Sequence, residues 1–168
     1  MSGVRGVEVL YLVRHGKAVG SHPDGDRHRA LSAAGRLRIE GMIPQAFAHG
    51  FKADLALSSP YVRAVQTRDL FSPVLSPSRA ETSTGFGPDA DPGEALAELR
   101  VWEADGIRRI AVFTHNPLVT HLAELLLFPG SADRAGIDLV FHTPTVLALS
   151  FEGGLAPGQG RPLWILNP

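Results

Sequence analysis

The feature that most constrains this fold is Val7-Glu8-Val9-Leu10-Tyr11-Leu12-Val13, a β-branched and aromatic run with a single charge. A strand of that composition is buried on both faces, as in a parallel sheet covered by helices. The run ends in Arg14-His15-Gly16. It therefore delivers a cation and an imidazole to the carboxyl edge of the sheet, where open α/β folds bind ligands. Gly16 lets the backbone turn sharply or approach a ligand closely. An imidazole beside a guanidinium suits an anion, and phosphate is the obvious candidate.

The rest of the chain alternates strand and helix. Gly20–Arg29 reads as a polar loop in which Asp24 and Asp26 are solvated, with His28 close enough in sequence to rim a site. Ser32 is the predicted N-cap of a helix to Ala48, with apolar positions Leu37, Ile39, Ile43, Ala46 and Phe47, and with Pro44 near its end. Asp54–Ser58 reads as a short buried strand. A helix follows over Tyr61–Phe71, with Pro60 at its start. Ser72–Pro88, rich in Ser, Pro and Gly, reads as a surface connection with a short strand near Glu81–Ser83. Pro92–Asp105 is a predicted helix closed by Gly106. Arg109–Thr114 is a buried strand that delivers His115, and Pro117 opens an apolar helix to Phe128. Thr145–Phe151 and Leu163–Leu166 flank the glycine-rich stretch Glu152–Gly160 and read as a hairpin. This order predicts one domain over residues 1–168, a three-layer α/β/α sandwich around a mainly parallel sheet.

Composition narrows the function classes. Sixteen basic against 17 acidic residues give a net charge of -1, so no global field invites nucleic acid. Cysteine is absent, which excludes disulfides and thiolate metal sites. No signal pattern opens the chain, and no apolar run approaches the roughly 18 residues of a membrane span. The expectation is a cytoplasmic protein with no membrane partner and no cofactor. His121 and Glu124 lack the spacing of a helical metal motif, so no metal is expected.

Phosphate-competent groups follow predicted strands at three places: Arg14-His15-Gly16, then Ser58 to Thr67 with Arg63 in the first turn of a helix, then Thr114-His115-Asn116-Pro117. At the last, the free N–H groups of the following helix can hold an oxyanion. Two imidazoles and two arginines on one edge make a dianion pocket. One imidazole can attack phosphorus in line while the others neutralise the equatorial oxygens.

These segments resemble the histidine phosphatase superfamily, whose signature is the strand-terminal Arg-His-Gly. Leu12-Val13-Arg14-His15-Gly16-Lys17-Ala18 looks most like phosphohistidine phosphatases of the SixA type. The likeness continues through Arg29 to Gly35, Ser58 to Thr67 and Thr114 to Val119, in the family's order, over about Leu10 to Phe128. The resemblance implies that His15 becomes phosphorylated and that Arg14, Arg63 and His115 bind phosphate. It implies phosphoryl transfer to His15 and then hydrolysis by water. Gly16, Arg29 and Asn116 complete the expected substrate-binding set, while Lys17 is expected at the solvated mouth.

Larger members of the superfamily add a carboxylic acid that protonates a leaving alkoxide, and insertions that roof the pocket. Here Asp89, Asp91 and Glu94 are available, but none sits in a matching motif. An imidazole, with a pKa of about 6.5, leaves far more readily than an alkoxide. The expectation is hydrolysis of phosphohistidine on a protein, a histidine phosphotransfer domain or a phosphocarrier, with inorganic phosphate as product. Two alternatives stay open. One is a small-molecule phosphomonoesterase using Asp89, Asp91 or Glu94 as proton donor; the other is a non-catalytic phosphate- or phosphohistidine-binding module.

Overall fold

The computed structural model describes residues 6–130 and 139–168. Its centre is a six-stranded sheet in the order β3-β2-β4-β1-β5-β6. The strands are β1 (Val9–Arg14), β2 (Leu55–Ser58), β3 (Arg79–Thr82), β4 (Arg109–Thr114), β5 (Thr145–Ser150) and β6 (Arg161–Leu166). β3, β2, β4 and β1 run parallel, while β5 returns antiparallel to β1 and forms the expected hairpin with β6.

Alternation along each parallel strand builds two cores. Leu10 and Leu12, Leu55 and Leu57, and Ile110 and Val112 face one side, against α3 (Pro92–Ala104) and α4 (Leu118–Leu127). Tyr11, Val13, Ala56, Ala111 and Phe113 face the other, against α1 (Ala33–Ala48) and α2 (Val62–Leu75). Both faces are covered, which is why these strands read as unbroken apolar runs.

The caps match the sequence expectation. Ser32 Oγ accepts the Gly35 N–H at 3.0 Å at the start of α1, and Gly106, at φ 87°, follows the end of α3. α1 runs through Pro44 and ends at Ala48 as expected, whereas α2 runs through Pro73 to Leu75, four residues beyond the expected end. An internal proline removes a single backbone donor, and the burial of Val74 and Leu75 against the sheet outweighs that loss. In α1 the core face is Gly35, Ile39, Met42 and Ala46, spaced by four, three and four residues. Leu37 and Phe47, expected on that face, are 68% and 69% exposed. Gly35 is required where it stands: a Cβ there would lie 2.1 Å from the Lys17 carbonyl oxygen. That close approach seats α1 on the segment that follows His15.

Candidate active site

Strand register brings the three motifs to one level. Arg14 pairs with Thr114 across β1 and β4, so His15 and His115 emerge side by side. Ser58 pairs with Phe113, which places Ser59 next to Thr114. The His15 N–H donates to Thr114 O and the Ser59 N–H to Phe113 O, both at 3.0 Å, extending the ladder one residue past the strands. The His15 and His115 ring centroids are 4.9 Å apart.

Arg14, His15, Arg63 and His115 line one cleft of about 350 Å³. Arg29 and Asn116 share its wall, together with Lys17, which is exposed as expected. Each side chain is held from behind. His15 Nδ1 lies 2.7 Å from the Gly16 carbonyl oxygen, to which it donates, leaving Nε2 with its lone pair. Arg63 Nε donates to that Nε2 at 3.2 Å. Burial first, then Arg63, Arg14 and Arg29, lower the pKa of His15 to about 4. The ring is therefore neutral at physiological pH, with a nucleophilic nitrogen exposed to the cleft.

Arg63 is 5% exposed, and its stance depends on Asp26. Its Nη1 donates to the Asp26 carbonyl oxygen at 2.8 Å and its Nη2 to Asp26 Oδ2 at 2.9 Å. Arg29 Nη1 donates to the other carboxylate oxygen at 2.6 Å, and its Nε to Val19 O at 2.7 Å. Asp26 was expected to be a solvated loop residue; it is instead the bracket between two cleft arginines. Hydrogen bonds from Arg29 and then Arg63 hold its pKa below the usual carboxylate range. His28, expected near the rim, packs its ring against His22 at 5.6 Å and does not line the cleft.

Arg14 Nη1 donates to the Phe141 carbonyl oxygen at 2.6 Å, so the segment before β5 orients it, and Thr143 from the same segment joins the wall. Sequence reasoning missed that segment. It also missed Thr67, whose Oγ1 accepts the Gly16 N–H at 3.0 Å and donates to Arg63 O at 2.7 Å. Gly16, expected among the substrate-binding residues, turns both backbone polar groups inward, to Thr67 and to His15. A Cβ at Gly16 would meet Ile39 Cδ1 at 2.7 Å, so the residue serves close packing beneath the site.

His115 is 2% exposed, and its Nε2 lies 2.8 Å from Ser59 Oγ. Burial, then His15 and Arg63, lower its pKa to about 3. The Tyr61 ring packs edge-on against it at 4.9 Å, and the Arg63 guanidinium stands over the same ring at 4.9 Å. Asn116 Oδ1 accepts from Thr120 Oγ1 at 2.9 Å, so its amide donors stay available at the mouth. The helix expected to offer free N–H groups begins at Leu118 and lines no part of the cleft; the Val119 N–H donates to the His115 carbonyl oxygen.

The three candidate acids lie elsewhere. Asp91 caps α3, accepting the Glu94 N–H at 3.0 Å, and Glu94 is exposed beside it. Asp89 lines a neighbouring hollow of about 330 Å³ with Tyr61 and Arg27, and Pro88 lines both that hollow and the cleft. Among the described residues, no carboxylate lines the cleft itself. The described residues also bring together no group of three His, Asp or Glu side chains able to hold a metal, and no helix among them is long and apolar enough to cross a membrane.

No protein-family model matches the chain. It is 27% identical over 162 residues to the phosphohistidine phosphatase SixA of Escherichia coli, spanning 95% of this chain and 93% of that protein. The solved structure of the protein histidine phosphatase SixA complexed with tungstate is similar at a TM-score of 0.80 and 26% identity, over 95% of this chain and 97% of that one. A phosphoglycerate mutase from Bacillus anthracis shares the fold at a TM-score of 0.64 and 16% identity, over 95% and 93% of the two chains. With the strand-terminal Arg14-His15-Gly16 in the same fold, the chain is similar over nearly its whole length to the SixA-type phosphohistidine phosphatases of the histidine phosphatase superfamily.

Proposed function

We propose that this protein hydrolyses phosphohistidine on proteins through a covalent phosphohistidine intermediate at His15. His15 Nε2 attacks phosphorus, the new N–P bond forms, and the bond from phosphorus to the substrate imidazole breaks. The departing ring leaves as neutral imidazole when its distal nitrogen is protonated. Water then attacks phosphorus on His15, releasing inorganic phosphate and restoring the free ring. Arg14, Arg63 and His115 stabilise the charge on the equatorial oxygens, with the Asn116 amide and Arg29 at the mouth. The donor is a phosphorylated protein, of the histidine phosphotransfer or phosphocarrier class.

The observation that carries this reading is the state of the carboxylates. An alkoxide leaving group needs a proton from a positioned acid, and the cleft lining offers none among the described residues. The carboxylate closest to the catalytic groups, Asp26, is bracketed by Arg29 and Arg63 and held ionised, the wrong state for a donor. Similarity to SixA over nearly the whole chain supports the same substrate class.

The test compares turnover of a phosphohistidine protein or a phosphoramidate with that of sugar and nucleotide monophosphates. The expected result is a strong preference for P–N over P–O substrates, and a His15→Ala variant that loses turnover and the acid-labile phosphoenzyme together. An active His15→Ala enzyme would overturn the mechanism. Ester hydrolysis that disappears on replacing Asp89, Asp91 or Glu94 would replace it with a phosphomonoesterase.

A further inference from the structure

Ser59 is fully buried, and its Oγ touches two groups: the Tyr61 backbone N–H at 3.2 Å and His115 Nε2 at 2.8 Å. The neighbouring hydroxyl of Ser58 is turned away, donating to the Ser59 carbonyl oxygen. A serine hydroxyl carries one proton and two lone pairs. Tyr61 occupies one lone pair, so the proton has His115 Nε2 as its acceptor among the described residues. The reverse arrangement, with Nε2–H donating to Oγ, would leave the hydroxyl proton buried without an acceptor. His115 Nδ1 is buried and has no protein partner in either arrangement, so the hydroxyl proton decides between them. A buried donor left unpaired is penalised, so the first arrangement is favoured.

We propose that Ser59 is a positioning residue that fixes His115 as its Nδ1–H tautomer by donating a hydrogen bond to Nε2, so that the ring offers a phosphate oxygen a donor and not a lone pair. This rests on the reading of His115 as a phosphate-binding group. A cationic imidazole would donate from both nitrogens and need no such device. His115 is held neutral by burial, with His15 and Arg63 adding to it, so one nitrogen carries a proton and the tautomer decides the sign of the contact. His15 is set by a different partner to the opposite end. Its Nδ1–H points back to the Gly16 carbonyl oxygen, and its unprotonated Nε2 accepts the Arg63 Nε–H in the wall of the cleft. The two rings thus carry the same tautomer turned around, one as nucleophile and one as donor.

The test is a long-range proton–nitrogen correlation spectrum of the histidine-labelled full chain, with the His115 signals identified by their loss in His115→Ala. Wild-type protein should show His115 protonated at Nδ1 and bare at Nε2. Ser59→Ala, a near-isosteric change, should move His115 towards Nε2 protonation and slow phosphoenzyme formation at least tenfold, with the His15 signals unchanged. A wild-type spectrum with His115 protonated at Nε2 would overturn the inference without needing any variant to fold. So would a Ser59→Ala protein with tautomer and rate both unaltered. If His115→Ala itself keeps the wild-type rate, the phosphate-binding reading of that residue fails instead, whatever the spectrum shows.

Discussion

The carboxyl and amino edges of the same sheet are built on opposite terms. At the carboxyl edge sit the buried polar residues Ser58, Ser59, Arg63, Thr67, Thr114, His115 and Thr145, and with them the unpartnered Arg14 Nε and His115 Nδ1. At the amino edge the polar groups close on one another. Asp54 Oδ2 accepts the Arg109 N–H at 2.9 Å and the Arg108 N–H at 3.3 Å, and Arg108 pairs with Glu8. Glu103 Oε1 accepts the Val7 and Leu155 N–H groups at 2.8 and 2.9 Å. One edge is saturated and serves stability. The other leaves Arg14 Nε and His115 Nδ1 without protein partners, which costs stability and leaves them for a ligand.

The largest break in that contrast should come from Asp26→Ala. It removes the bracket from Arg63 and Arg29 while deleting a side chain that is 53% exposed. Turnover of a phosphohistidine substrate should fall roughly ten- to hundredfold, because the guanidinium groups lose their aim, while the melting temperature changes little. An unchanged rate would show that the bracket is ornamental.

A smaller, graded effect is expected from acid. An unfolded histidine titrates near pH 6.5, whereas the folded values are lowered to about 4 for His15 and about 3 for His115. Below pH 6.5 the unfolded chain binds protons that the folded chain refuses. Stability should therefore be full above 6.5 and decline as the pH falls towards 4 and then 3. Activity should behave differently. The nucleophile stays unprotonated, so kcat/KM, corrected for spontaneous hydrolysis of the substrate, should keep its acid limb near pH 4 while the enzyme remains folded. A limb at 6.5 would contradict the burial argument.

The smallest effect tests the saturated edge. Asp54→Ala should lower unfolding free energy by about 1–2 kcal/mol, through two lost backbone hydrogen bonds to a partly exposed carboxylate. Denaturant titration measures this, and kcat should not move. A loss of activity there would erase the division between the edges.

Much of this division is legible along the chain. Val9–Arg14, Arg109–Thr114 and the hairpin strands are evident from apolar runs and turn residues, since burial on both faces leaves a local compositional mark. The end of α1 at Ala48 is legible as well, but that of α2 is not, because the Ser-, Pro- and Gly-rich stretch after Phe71 reads as a connection while burial of Val74 and Leu75 carries the helix on through Pro73. Arg14, His15, Arg63 and His115 stand out because each lies at the end of a strand or in the segment just after one, which is a local property. Asp26, Thr67, Ser59 and Phe141 do not stand out. Each acts by gripping a residue distant in sequence, as Asp26 grips Arg63 across 37 positions and Phe141 holds Arg14 across 127.

The sequence alone determined that this chain builds a parallel sheet with an imidazole and cations at its carboxyl edge, because period, composition and turn chemistry are written residue by residue. The tertiary structure decided which ring nitrogen faces the cleft, where the arginines point and which carboxylates stay away. Those outcomes depend on register between strands and on hydrogen bonds whose partners lie far apart along the chain, and no local pattern encodes them.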